Sequence, residues 1–521
     1  MKRVLGGLCL VALLLAMVAP CIAQDAVEIE KAKAADAAFD AGYQAYEHKD
    51  WRAAIEHYTE AIRLRPDWES AYNNRGLAHK ELAEFREAIA DYTEALRLKP
   101  NELIYLNNRE LVYYKIGEWD KAIEDSNTIL GIEPNDTETL FHRANAYKEK
   151  GMNAEAFADY EAALKINPKM SEAIRNRGHL YLRIHEYEKA LVDFNEADRL
   201  TPKDYLTLFE RGVLYQRTEH YDAALRDYRA ALEILPTAHQ ALAYMAECYA
   251  GLDRMEDAES AMVVAIQLKP NYAPYLLARS DIRARMKKYD LALEDVNEVL
   301  RLIPDYPDAY NSRGSLYATQ EKYELALADY DHVLQISGID YGARINRGRI
   351  LMYLGRNDEA LKEASQAINI KPENSYGYFV RAMVHAARDE YGAALVDAQM
   401  TVKLNPADSM NWNIQCWYRG ILGQLDEALK DCNKSLELKP GAGATLDSRG
   451  LVYLKIGRLD EAIADYDAAL KDDPTIAGSF YGRGLAKKKK GDAAGAAADF
   501  VAAQKLDSKI EEKFKKYGVK P

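Results

Sequence analysis

The chain repeats its own pattern every 34 residues, fourteen times, with neither insertion nor deletion. Stepping by 34 from Ala54, every position reached is alanine, from Ala88 through Ala292 to Ala496. Twelve residues beyond each alanine stands a proline, from Pro66 to Pro474, with only Gly338 and Ser508 departing. A period of this length dictates a linear array. No single unit is large enough to bury its own apolar face, so each buries it against its neighbours.

One unit shows what is repeated. In the ninth, Ala309-Tyr310-Asn311-Ser312-Arg313-Gly314 opens one helix and Tyr323-Glu324-Leu325-Ala326-Leu327-Ala328-Asp329-Tyr330 carries a second. Apolar residues recur at three- and four-residue spacing in both, as an amphipathic helix requires. Gly314 and Ala326 mark where the two helices come closest. The proline that ends most units lacks an N–H and restricts the residue before it, so the second helix stops there. The unit reads helix, turn, helix, turn.

This unit resembles the tetratricopeptide repeat (TPR), and repeat two carries the pattern well in Tyr72, Gly76, Ala88, Tyr92, Ala95 and Pro100. The resemblance covers residues 35–510. It implies an all-α, right-handed superhelical solenoid of fourteen helix-turn-helix units, with a concave face lined by the first helices. Repeat one is worn, with Ala38 in an aromatic place, and repeat fourteen lacks its proline. Outer repeats have one neighbour fewer, which relaxes their pattern. Residues 511–521 read as a capping helix and tail; the charges of Glu511, Glu512, Lys513, Lys515 and Lys516 suit a solvating end.

A second regularity is electrostatic. Eleven repeats carry arginine before the small residue of the first helix, among them Arg75, Arg143, Arg313 and Arg449. Each has an acid sixteen residues later, here Asp91, Asp159, Asp329 and Asp465. Repeats one and seven lack both partners, and repeat twelve sets Gln415 against Asp431. Joint loss points to pairing inside a repeat. A matched acid neutralises each arginine, so these residues clamp the two helices rather than form a basic ligand groove.

Lys2 and Arg3, the apolar run Val4 to Ala19 and the small residues before Gln24 read as a secretory signal peptide. Residues 1–23 would be removed by cleavage near Ala23, leaving 24–34 as a lead-in to the repeats. Loss of Lys2 and Arg3 takes the net charge from −13 to about −15. So acidic a chain is a poor partner for nucleic acid, which needs clustered Lys and Arg. The run Lys487-Lys488-Lys489-Lys490 reads as a solvated helical face. No later segment is apolar enough to span a membrane. The expected address is bacterial and periplasmic or secreted.

Cys248, Cys416 and Cys432 lie beyond the signal. The resemblance implies that the places of Cys416 and Cys432 face each other. In repeat three the first of those places grows to Glu110 while the second shrinks to Ser126, as facing positions would. The pair is therefore a disulfide candidate in an oxidising compartment, or else two buried thiols acting as small apolar groups. Nothing in cysteine or histidine spacing suggests a metal or other cofactor.

None of the phosphate-binding or hydrolase motifs is present, and signal, repeats and end helix use the whole length, so no enzyme is expected. The TPR resemblance instead implies ligand-facing places on the first helices. Carried onto this chain, they give a polar early groove with Asn74, Lys80, Asn108, Lys115, Asn176 and Arg183. They give an apolar late groove with Phe379, Val380, Met383, Ile414 and Trp417. Amides suit the backbone of an extended peptide, and aromatic and Met side chains suit an apolar anchor. The lysine clamp for a terminal carboxylate is missing, since Ser70, Asn73, Ile104 and Asn107 hold its places. The expected function is a scaffold for peptide segments of envelope proteins. The alternatives are a self-associating spacer, or a non-catalytic accessory of an envelope polysaccharide or outer-membrane assembly system.

Overall fold

The computed structural model describes residues 27–519, so the signal-peptide region lies outside the described residues. Among the described residues every regular element is helical. Residues 27–47 form one continuous helix, which joins the lead-in to the first helix of repeat one. From there each repeat follows one plan. Repeat two has its first helix at Glu69–Glu81 and its second at Phe85–Leu98. Repeat twelve has Ser409–Ile421 and Leu425–Leu438.

The chain divides into two compact units, at Arg254 and Met255. The first unit ends with the first helix of repeat seven, His239–Gly251. The second opens with that repeat's other helix, Met255–Leu268. Within each unit a helix packs on its repeat partner and on the next repeat. First helices also touch one another, as Ser409–Ile421 touches Gly443–Ile456.

The repeating alanine is the closest point of that packing: Ala54, Ala190, Ala326 and Ala462 are fully buried. A second contact sets glycine on the first helix beneath an aromatic ring on the second. A Cβ added to Gly314 would lie 2.8 Å from the Tyr330 ring, which leaves no room for a larger residue. Tyr58, Tyr92, Tyr228, Tyr330 and Tyr466 are all buried in this way, and Tyr160 is buried in a cluster with Ala144 in the glycine's place. Each ring stabilises the array by roughly 2–3 kcal/mol through apolar burial. Repeat three inverts the contact: Glu110 is buried and takes a hydrogen bond from Ser126 Oγ at 3.1 Å.

Turns between the two helices need a residue in the left-handed region. It is glycine at Gly117, Gly151, Gly355, Gly423, Gly457 and Gly491, but Ala83, Glu219 and Asp389 among others adopt it without glycine. First helices are entered through side-chain caps at Asp136, Asp204, Asp340 and Asp408, each satisfying an otherwise free N–H. In repeat one, Phe39 stacks on Trp68 at 4.4 Å, and so supplies the aromatic packing that Ala38 cannot.

Candidate partner-binding surfaces

All eleven arginine–acid pairs form inside their own repeat, as Arg75–Asp91 at 2.7 Å and Arg449–Asp465 at 2.7 Å illustrate. Most are forked, with Nε and Nη2 of one arginine donating to both oxygens of one carboxylate. The carboxylates are buried and the guanidinium groups largely so. Burial would depress the Arg75 guanidinium, but its bonds and attraction to Asp91 outweigh that and hold it above its usual range. The sequence did not reveal a third arm. Nη1 of seven of these arginines donates to the preceding repeat, as from Arg75 to Thr59 at 3.1 Å and from Arg449 to Asn433 at 2.9 Å. The clamp therefore also joins neighbouring repeats.

Repeat twelve departs. Gln415 donates to Asp431 at 2.9 Å, and Arg419, one turn on, supplies the missing charge at 2.7 Å. Burial nevertheless leaves the Asp431 carboxyl above its ordinary range, against the pull of Gln415 and Arg419. Behind it Cys416 and Cys432 are joined as a disulfide with Cα atoms 5.3 Å apart. Cys248 is a free, buried thiol pushed up to about 12, first by burial and then by Glu247.

The early surface is a chain of amides. Asn108 donates to Asn73 at 2.9 Å, Asn73 to Asn74 at 3.1 Å, and Asn176 to Asn145 at 2.7 Å. Asn73 and Asn145 are buried, and Asn145 Oδ1 also accepts from the Tyr160 hydroxyl, so the partly exposed Asn74, Asn108 and Asn176 are the amides that keep hydrogen-bonding positions for a ligand. The cations are less free than their spacing implied. Lys80 lies 3.5 Å from Glu81, Lys115 sits 5.0 Å over the Phe85 ring, and Arg183 donates to the Lys148 carbonyl at 3.1 Å.

The late surface separates into three parts. Val380 is wholly buried among Ile345, Ala364 and Ala367. It is core and not a groove residue, because its helix turns it toward the preceding repeat. Phe379 and Met383 are partly exposed, and Phe379 stacks on the exposed Tyr376 at 5.7 Å. Tyr353 and Met410, on the first helices either side, are exposed as well.

Ile414 and Trp417 belong to the third part, which the chain itself covers. The end helix, Ile510–Lys516, buries Ile510 and Phe514 rather than merely solvating repeat fourteen. Phe514 meets Tyr481 at 4.8 Å. Tyr517 meets Trp417 edge-on at 5.3 Å and Tyr391 at 6.3 Å. Lys516 pairs with Asp389 at 2.6 Å, which holds the Asp389 carboxyl below its usual range. Gly518 is left-handed and the Val519 N–H bonds the Phe514 carbonyl at 3.1 Å, a helix stop that folds Val519 back into the core. The signal was legible, since Ile510, Phe514 and Tyr517 recur at four- and three-residue spacing. The dense charges beside them masked it.

Lys455 was not foreseen at all. Its Nζ donates to the carbonyls of Gly420 at 2.8 Å, Ile421 at 3.0 Å and Tyr517 at 2.8 Å. It thus sits between two helix C-termini, and burial pulls its pKa down. Nearby Asp447 accepts from Ser479 and is pushed up to about 6 by burial, a shift the Ser479 bond only moderates. Lys487 of the lysine run adds a 2.9 Å pair to Asp499.

Among the described residues there is no cluster of His, Cys, Asp and Glu able to hold a metal ion, and no helix long and apolar enough to cross a membrane.

The sequence matches family models described as TPR repeat at residues 42–82 and 450–491. Models described as tetratricopeptide repeat match residues 70–102, 137–170, 205–238, 277–338 and 345–409. Together the matches span more than half of the chain. No curated protein matches the sequence. Among solved structures, the Cut9–Hcn1 hetero-tetramer of the APC/C is similar at 15% identity and a TM-score of 0.53, over 93% of this chain and 96% of that one. A tetratricopeptide repeat protein from Parabacteroides merdae is 18% identical over 48% of this chain and 98% of its own, with a TM-score of 0.41. Yeast Tom70 is 17% identical over 87% and 95%, with a TM-score of 0.34.

Proposed function

Because the chain belongs to the tetratricopeptide repeat family, a family of protein-interaction scaffolds, we propose that it is a non-catalytic scaffold holding peptide segments of envelope proteins, in a bacterial periplasm or outside the cell. The observation that carries this reading is the file of Tyr353, Tyr376, Phe379, Met383 and Met410 on first helices of the second unit. Aromatic and Met side chains left partly in water on a rigid surface supply binding energy without reorganisation. The ladder charges beneath are already matched, so an apolar segment docks there without stranding a buried ion.

The test is affinity capture from an envelope extract. The baits are the mature chain and a variant with Tyr376, Phe379 and Met383 changed to Ala, shown folded by circular dichroism. A protein held by the first and lost by the second supports the reading; equal retention by both refutes this surface. An oxidising address also requires the Cys416–Cys432 bond, which makes the intact mass two hydrogens lighter than that of the reduced chain.

A further inference from the structure

The cover over Trp417 has the properties of a ligand. A seven-residue helix is too short to hold its shape alone, so its docked form depends on the surface beneath it. That surface belongs to residues far back in the chain. Lys516 reaches Asp389 across 127 positions, and Lys455 reaches the Tyr517 carbonyl across 62. A cap serving only repeat fourteen has no need to touch repeats eleven, twelve and thirteen.

The recognition is also of a portable kind. Two aromatic rings three residues apart enter between Tyr481, Trp417 and Tyr391. A lysine beside the second ring meets Asp389 at the rim. Lys455 binds the end of the helix through a main-chain carbonyl, which any helix C-terminus presents whatever its side chains. Its other two acceptors are carbonyls of the groove's own helix, so no carboxylate neutralises it. A buried ammonium so placed favours a helix end as its third partner.

We propose that the inner face of repeats eleven to fourteen is a docking site for a short basic helix bearing two aromatic residues three apart near its C-terminus, and that residues 510–519 occupy it until a partner segment of that chemistry displaces them. This rests on the scaffold reading above and names the partner class and the control of one part of that surface. A tethered occupant competes at an effective concentration of about millimolar. The apparent affinity for an incoming helix therefore falls by the fraction of molecules whose groove is open.

The experiment uses the full chain and one probe, a fluorescein-labelled peptide of residues 507–519, followed by anisotropy. The variant Phe514→Ala/Tyr517→Ala, which releases the tail, is expected to bind the peptide at least tenfold more tightly than the unaltered chain. Adding Trp417→Ala to it should remove that gain, and a peptide with Tyr517→Ala should not bind. Equal binding by the unaltered and released chains, or none by a released chain whose circular dichroism is unchanged, overturns the proposal. If the double variant loses helicity, Lys516→Glu carries the test instead. It breaks only the exposed pair with Asp389 and should tighten peptide binding about threefold; no change overturns the proposal. Loss of peptide binding with capture through Phe379 and Met383 intact would sink this inference and leave the scaffold reading standing.

Discussion

The inner surfaces of repeats two to five and of repeats eleven to thirteen sit on the same ladder and solve opposite problems. The early surface is polar and satisfies itself sideways: Asn108, Asn73 and Asn74 bond one another, and Asn176 bonds Asn145. The late surface is apolar around Trp417, and a separate piece of chain covers it. An amide surface left in water costs little, since water replaces a missing ligand. An aromatic surface left in water forfeits about 25 cal/mol for each Å² exposed. The difference gives the late surface, the one with an internal cover among the described residues, the stronger reason to carry it.

The comparison breaks first if the shared frame is not shared. Arg143→Ala in the early half and Arg449→Ala in the late half should each destabilise their repeat by about 3 kcal/mol, because a buried carboxylate loses its partner. Hydrogen exchange of the helices concerned is the measurement, since long arrays need not unfold in one step. Unequal losses would mean that the ladder does not bear equally on both surfaces.

Next in size is the contrast between the surfaces themselves. Trp417→Ala should cost residues 510–519 about 2 kcal/mol of exchange protection. Asn108→Ala should cost its own surroundings less than about 1 kcal/mol. Similar losses at the two sites would erase the distinction.

A smaller effect tests the one interrupted rung. Asp431 has its carboxyl raised by burial, so its protonated form favours the fold; that contribution is present at low pH and lost as pH rises through the folded value. Asp499 runs the other way. Burial raises it, but bonds from Arg483 and Lys487 outweigh that and leave it lowered; its contribution is present above the unfolded value and lost as pH falls through the folded one. Gln415→Arg should give repeat twelve the slope of repeat fourteen and add about 1 kcal/mol at neutral pH, read from denaturation between about pH 3 and 7.

The smallest effect concerns the turns. Glycine holds four of the seven left-handed turn positions in the late repeats, Gly355, Gly423, Gly457 and Gly491, but only Gly117 and Gly151 in the early ones. Ala83→Gly should stabilise the early unit by about 0.5 kcal/mol in thermal denaturation, while Gly457→Ala should weaken the late one by about 1 kcal/mol.

The fold was legible in the sequence because its determinants are local and repeated. One alanine, one small-over-aromatic contact and one arginine–acid spacing, seen many times over, leave little else to fit. The candidate surfaces were only half legible. Repeat positions say which residues lie on first helices, and so placed Phe379 and Met383 in partial exposure. They do not say how far the preceding repeat closes over a side chain, which is why Val380 lies in the core. The cover on Trp417 and the carbonyls around Lys455 are contacts across several repeats, made once. A periodic pattern carries no record of an event that does not recur.

The third arm of the ladder gives the array a direction under load. In the early repeats the arms of Arg75, Arg109 and Arg143 reach back to the small, uncharged Thr59, Thr93 and Asn127, whereas in the late ones Arg347 and Arg483 reach back to the carboxylates of Asp331 and Asp467. Peeling the last repeat from the C-terminal end strips the Asp467 carboxylate of Arg483. Peeling one from the N-terminal end takes an acceptor from an arginine that stays. Repeat one, with Ala41 at that place, has no arm and needs none. Pulled from its two ends, the chain is a ratchet with uneven teeth: those of the early repeats catch on a hydroxyl or an amide, that of the last on a carboxylate.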